Sequence, residues 1–176
     1  MNYNEMAQKI YAQNKAVGWW DDPDRCLFEC LQLVSTEVAE ATEAERKDLM
    51  DDHLPHRKGG EVELADALIR VLDLGGRLGL EYFEATPEQP WGLSTGGLLF
   101  AVNRAAVSLG WALAVDYAPA GAVGMNYSQL IATIECTADA LGHTDLHGAV
   151  LEKLEYNAKR ADHKRENRAK PGGKAF

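Results

Sequence analysis

The sequence predicts an all-α fold, a single helical bundle. Three observations predict it: apolar residues recur at a spacing near 3.6, alternating β-branched runs are absent, and turn signals separate six candidate helices.

The first helix is expected from about Asn4 to Ala16, closing at Gly18. The second is expected to start after Asp22-Pro23, with Asp22 as N-cap and Pro23 at the first helical position, and to reach about Asp48. Met50 to Gly60, holding Pro55 and Gly59-Gly60, reads as a loop before a third helix from Glu61 to about Leu78, whose end Gly75, Gly76 and Gly79 weaken. A break from Tyr82 to Thr95 contains Pro87 and Pro90; a fourth helix then runs from about Gly96 to Val115. After Pro119 and Gly121, Asn126 or Ser128 is the expected cap of a fifth helix ending at Gly142. Asp145 starts a sixth that reaches about Asp162. The closing segment with Pro171-Gly172-Gly173 cannot sustain a helix and reads as an extended tail.

A length of 176 residues suits one domain, 1–176, and 46% hydrophobic with 26% charged residues is ordinary for a globular chain. No run of about 18 apolar residues is present. Met1-Asn2-Tyr3-Asn4-Glu5 lacks the features of a signal peptide, so no membrane partner and a cytoplasmic location are expected. Three cysteines without a CxxC argue against a disulfide framework, and Cys26 and Cys30, four apart on a helical pattern, read as core. A net charge of -9 excludes wholesale binding to a nucleic-acid polymer, because neutralising phosphates takes clustered Lys and Arg. Basic residues do gather from Lys153 to Lys174, so an acidic body with a basic end suits a small anion held by metals and lysines together.

Glu37 and Glu40 are three apart, as are Glu63 and Asp66, so each pair projects from one face of its helix. Spacing alone says little, since Glu40 and Glu43, or Glu152 and Glu155, repeat it on what reads as solvated surface. The third helix says more. Its polar residues Glu63, Asp66, Arg70 and Asp73 fall in a sector of roughly 80°, opposite Leu64, Leu68 and Leu72, with apolar residues on both flanks. A helix of that kind is buried, and buried carboxylates must be paired, hydrogen-bonded or metal-bound. Arg70 can satisfy one of them but not three. On the second helix Glu37 and Glu40 flank the core stripe Leu27, Leu31, Val34, Val38 and Ala41. If the two helices pack antiparallel, both acid pairs converge on one cavity, and cations must then separate them. Hard oxygen ligands favour Mg2+ or Mn2+; the chain has neither HExxH nor ExxH to suggest zinc or a di-iron centre.

At these residues the chain resembles the MazG-like all-α NTP pyrophosphatase family, whose signature is a helical ExxE followed some two dozen residues later by ExxD. Glu37-Val38-Ala39-Glu40 and Glu63-Leu64-Ala65-Asp66 carry the likeness. The Lys153-Leu154-Glu155-Tyr156-Asn157-Ala158-Lys159-Arg160 segment is similar to the family's closing K-x-x-x-N-x-x-R, and Gly172-Gly173-Lys174-Ala175-Phe176 to the tail of phage-type members. Gly18-Trp19-Trp20-Asp21-Asp22-Pro23 looks like the family's entry to the metal helix. Thr36 stands where relatives often carry a further acid. The likeness covers about residues 1 to 80 and 144 to 176; two helices between about 82 and 143 are inserted relative to compact members.

The resemblance implies hydrolysis of a (deoxy)nucleoside triphosphate to the monophosphate and pyrophosphate, with two or more Mg2+ or Mn2+ ions. Glu37, Glu40, Glu63 and Asp66 would be the ligands, and Glu37 or Glu40 would orient the attacking water as general base. Lys153, Asn157 and Arg160, on one face of the sixth helix, would contact phosphates, with Lys174 closing from the tail; a surface salt-bridge face is the alternative. Trp20 would stack on the base and Gln13 or Asn14 read its edge, core packing being the alternative for Trp20. The base stays open among dUTP, dCTP, guanine nucleotides and mixed pools, leaning to guanine. A homodimer or homotetramer is expected. Competing readings are a helical nucleotide-sensing or scaffold module with a degenerate site, and phosphoribosyl-ATP hydrolysis. His143 and His147 read as surface histidines, and Glu135 with Asp139 as an exposed face.

Overall fold

The computed structural model describes residues 1–87, 94–115, 119 and 121–160. They form six helices: α1 (Tyr3–Ala16), α2 (Leu27–Lys47), α3 (Gly59–Leu78), α4 (Thr95–Ala114), α5 (Ala122–Ala140) and α6 (Leu146–Lys159). The all-α expectation holds. Among the described residues no strand forms, and only an isolated bridge pairs Met50 with Lys58.

Three helix starts differ from expectation. Asp22 spends its side chain on a turn, accepting from the Asp24 amide at 2.9 Å. Arg25 then turns back to donate from Nε to the Trp19 carbonyl. The second helix therefore begins only at Leu27, with Cys26 as N-cap. Cys26 is exposed there, and only Cys30 reaches the core. The third helix begins two residues early, at Gly59, so the Gly59-Gly60 pair is helical. The fifth begins at Ala122 after a left-handed Gly121. Asn126 and Ser128, the expected caps, lie inside it: Asn126 Nδ2 donates to the Ala122 carbonyl, and Ser128 Oγ accepts from the Phe83 amide. Asn2 and Glu5 close a reciprocal capping box on α1, and Asp145 caps α6 by accepting from the Gly148 amide. The expected end of the sixth helix near Asp162 lies outside the described residues.

The hub is α3, which packs against α1, α2, α5 and α6, while α4 lies on α2 and α5. Its apolar residues from Val62 to Leu74 are buried on nearly every side. Two small residues permit this crowding. A Cβ at Gly75 would stand 2.3 Å from the Tyr127 hydroxyl, and one at Gly76 would stand 2.5 Å from the Ala7 carbonyl oxygen. Glycine there lets α5 and α1 approach the backbone of α3, so its cost in helix propensity is offset by packing. Near the α2–α3 connection Gly59 abuts Ala44, and farther along Glu37 meets Arg70. The two helices therefore run antiparallel, and their carboxylates share one wall.

Candidate metal and phosphate site

Three carboxylates converge from those two helices. Oxygens of Glu37, Glu63 and Asp66 lie within 4.8 Å of one another. They open on a cavity of about 730 Å³ whose wall also includes Glu40, Thr36, Arg70, Lys153, Asn157 and Arg160, with Gln13 and Asn14 from α1. That volume is within the usual span for small-ligand sites, roughly 300–1,000 Å³.

Two basic side chains already hold part of the acid cluster. Arg70 donates from Nε to Glu37 Oε1 at 3.0 Å, with Nη2 at the same distance. Lys153 Nζ stands 2.9 Å from Asp66 Oδ2. Glu40 is exposed and makes no ion pair or hydrogen bond among the described residues.

The electrostatics are those of a crowded anionic pocket. Burial, followed by the neighbouring Asp66, pushes the Glu63 carboxyl up to about 8. Burial also raises Glu37, against the opposing pull of Arg70. For Lys153 burial disfavours the charge, but Asp66 and then Glu63 outweigh it and hold the ammonium above its ordinary range. Lys153 thus stays protonated and cationic. The cluster offers only oxygen donors, sets three carboxyl groups against two basic partners, and has neither His nor Cys among its three members. Such a donor set fits a hard divalent cation such as Mg2+ or Mn2+.

Other expected contacts are distributed unevenly. Asn14 and Gln13 line the cavity, as do Lys153, Asn157 and Arg160 at the end of α6, and the buried Asn157 Oδ1 has no hydrogen-bond partner among the described residues. A buried acceptor without a partner calls for a ligand or water. Trp20 is a correction. Its ring is buried, its Nε1 donates to Asp73 Oδ1 at 3.0 Å, and it does not line the cavity. Its neighbour Trp19 does, edge-on to Trp20 and beneath the Arg25 guanidinium at 4.2 Å from its centroid. Asp73, in the polar stripe of α3, therefore serves Trp20 rather than the acid cluster. Lys174 lies outside the described residues.

Sequence reasoning passed over Trp19 and His53 as cavity residues. His53 stacks on Tyr156 with centroids 4.7 Å apart and takes part in a 3.0 Å hydrogen bond with its hydroxyl. The two residues are 103 positions apart, so no local signal points to the contact. His143 is also corrected: it is buried, with Nε2 2.8 Å from Glu45 Oε1. Glu135 is only half-buried and accepts the Tyr3 hydroxyl at 2.6 Å, while Asp139 is exposed. Comparison with protein-family models, with curated proteins and with solved structures gave no significant match.

Proposed function

We propose that this protein is a metal-dependent nucleoside triphosphate pyrophosphohydrolase, releasing pyrophosphate from a (deoxy)nucleoside triphosphate. The observation that carries the reading is the meeting of Glu37, Glu63 and Asp66 on the cavity wall that Lys153, Asn157 and Arg160 share. Carboxylates suit the cations that accompany a polyphosphate; the basic and amide groups of α6 suit its oxygens.

A bound divalent cation supplies neutralisation of phosphate charge and a more acidic water. The chain's own residues do the rest. Glu37, Glu63 and Asp66 are the ligands that fit, with Glu40 beside them. Glu37 is engaged by Arg70, so Glu40, with no partner, is the residue to orient the attacking water and accept its proton at a carboxylate oxygen. Lys153 and Arg160 hold phosphate oxygens, and the Asn157 amide lies between them. Asn14 and Gln13, which also line the cavity, meet the base or sugar, with Trp19 rather than Trp20 as the aromatic surface.

The test is pyrophosphate release from a panel of deoxynucleoside and nucleoside triphosphates, and from phosphoribosyl-ATP, with Mg2+ or Mn2+. Turnover by the wild type and its loss in Glu40→Ala support the reading. Binding of nucleotide without turnover of any substrate would replace it with a nucleotide-sensing module, an alternative favoured by the engagement of Glu37 and Asp66 with Arg70 and Lys153.

A further inference from the structure

The α4 helix carries an apolar seam that nothing in the described fold covers. One flank, with Leu99, Val102, Ala106 and Leu109, is in the core. The outer flank carries Phe100, Arg104, Val107, Trp111 and Ala114, at intervals of four, three, four and three residues. That is the spacing of a seam that meets another helix. Phe100 is 62%, Val107 60% and Trp111 69% exposed, and Phe28 of α2, at the same surface, is 51% exposed. Beside the seam lies a groove of about 370 Å³ lined by Phe28, Leu31, Val107, Gly110, Trp111 and Ala114, among others. Gly110 shapes it: a Cβ there would come within 3.4 Å of Leu31 Cδ1.

We infer that this seam is a two-fold interface in which α4 packs antiparallel against α4 of a second copy of the chain. The register follows from the side chains. Centred on Val107, antiparallel pairing sets Phe100 against Ala114, so each aromatic ring enters the groove that Gly110 and Ala114 leave open. Parallel pairing would instead set each ring against its own copy and leave the groove unfilled. A two-fold contact makes each of these interactions twice.

The area supports the same occupant. With three half- to two-thirds-exposed aromatic rings, which bury about 150–250 Å² each when fully covered, plus Val107, the patch offers roughly 400–500 Å². That is half or somewhat more of the about 800 Å² per partner in a stable interface. It also falls within the about 300–600 Å² of the largest patch on a typical monomer, a patch that is often functional. A lipid surface suits the patch less well. Although α4 reaches a mean hydropathy of 1.4 over an 18-residue window, its inner flank is packed in the core. The net charge of -9 would also repel an anionic bilayer. The seam includes no residue of the carboxylate cavity, so its test is independent of any activity.

Sedimentation velocity on the full chain across a concentration series reads the self-association directly. A dimer is expected, with Trp111→Asp raising its dissociation constant by about 30-fold or more while circular dichroism stays helical. In a Cys26→Ser background, Val107→Cys should form an intermolecular disulfide under mild oxidation, and Leu151→Cys, on another face, should not. A monomer at all concentrations, a dimer unmoved by Trp111→Asp, or equal cross-linking of the two cysteine variants would overturn the interface. So would flotation of the wild-type chain with neutral phosphatidylcholine vesicles that Trp111→Asp abolishes, which would assign the seam to lipid.

Discussion

Lys153 on α6 places its ammonium 2.9 Å from Asp66 on α3, with side chains only 4% and 16% exposed. The pair ties the last described helix to the hub of the fold at the point where the carboxylates converge. Removing the lysine strands a buried anion. Lys153→Met is expected to lower the stability of the metal-free protein by about 3 kcal/mol, and added Mg2+ should recover much of the loss by taking the cation's place. Thermal melts in EDTA and in Mg2+ check this. An equal loss in both would show that the lysine serves packing alone.

The crowded Glu63 gives the metal-free protein a particular pH response. Its folded carboxyl stands at about 8, above the unfolded value of 4.5, so the folded state holds the extra proton between those limits. The contribution is fully present below the unfolded value and is lost as pH rises through 8. Melting temperature in EDTA should therefore fall from pH 5 to pH 9, and Glu63→Gln should flatten the decline. A slope unchanged in Glu63→Gln would mean that burial does not control this group.

Glu40 and Glu37 should separate in their effects. Glu40 is exposed and unpaired among the described residues, so Glu40→Gln is expected to cut turnover by about 100-fold or more, within the range for a lost general base, with little change in melting temperature. Glu37→Gln removes the acceptor that Arg70 uses and should lower both turnover and stability. Parallel kinetics and calorimetry distinguish them; a large stability loss in Glu40→Gln would contradict its assignment.

Arg57 clamps the α2–α3 connection to α6. Its guanidinium reaches Glu61 at 3.1 Å, Asp145 at 2.8 Å and Glu152 at 2.9 Å, and its own side chain is 10% exposed. Arg57→Met should cost about 2 kcal/mol, below the range for fully buried pairs, since Asp145 and Glu152 are partly solvated. The Arg57 hydrogen bonds hold Glu152 down to about 2, so its share of the stability is present above the ordinary value of 4.5 and fades as pH falls through 2. An acid titration of wild type and Arg57→Met measures it.

How far the sequence foretold this arrangement depends on whether the deciding physics is local. The polar stripe Glu63, Asp66 and Arg70 on an apolar helix was legible, because periodicity alone sets which residues share a face. Helix starts were less so: Asp22 is a good N-cap by type, yet its side chain closes a turn, and Leu27 starts the helix because Arg25 folds back onto Trp19. Gly59 and Gly60, read as loop, are the first residues of α3, and at Gly59 a Cβ would stand 2.9 Å from Ala44 Cβ, a tertiary contact with no local signal. The division of labour between Trp19 and Trp20 was hidden, since it depends on Asp73, 53 residues from Trp20. Pairings such as His143 with Glu45 are tertiary and leave no trace in local pattern.

Two guanidinium groups stand near the Trp19 ring, Arg25 at 4.2 Å and Arg70 at 5.9 Å from its centroid, and Arg70 also grips Glu37. If a cation binds at the carboxylates as proposed, it would loosen that grip and shift positive charge beside an indole, whose emission responds to such a field. The proposed metal site would then report its own occupancy optically. In a Trp111→Phe, Trp91→Phe background, stepwise addition of Mg2+ should move the emission along a saturating curve without label or substrate, giving an affinity before any turnover is sought.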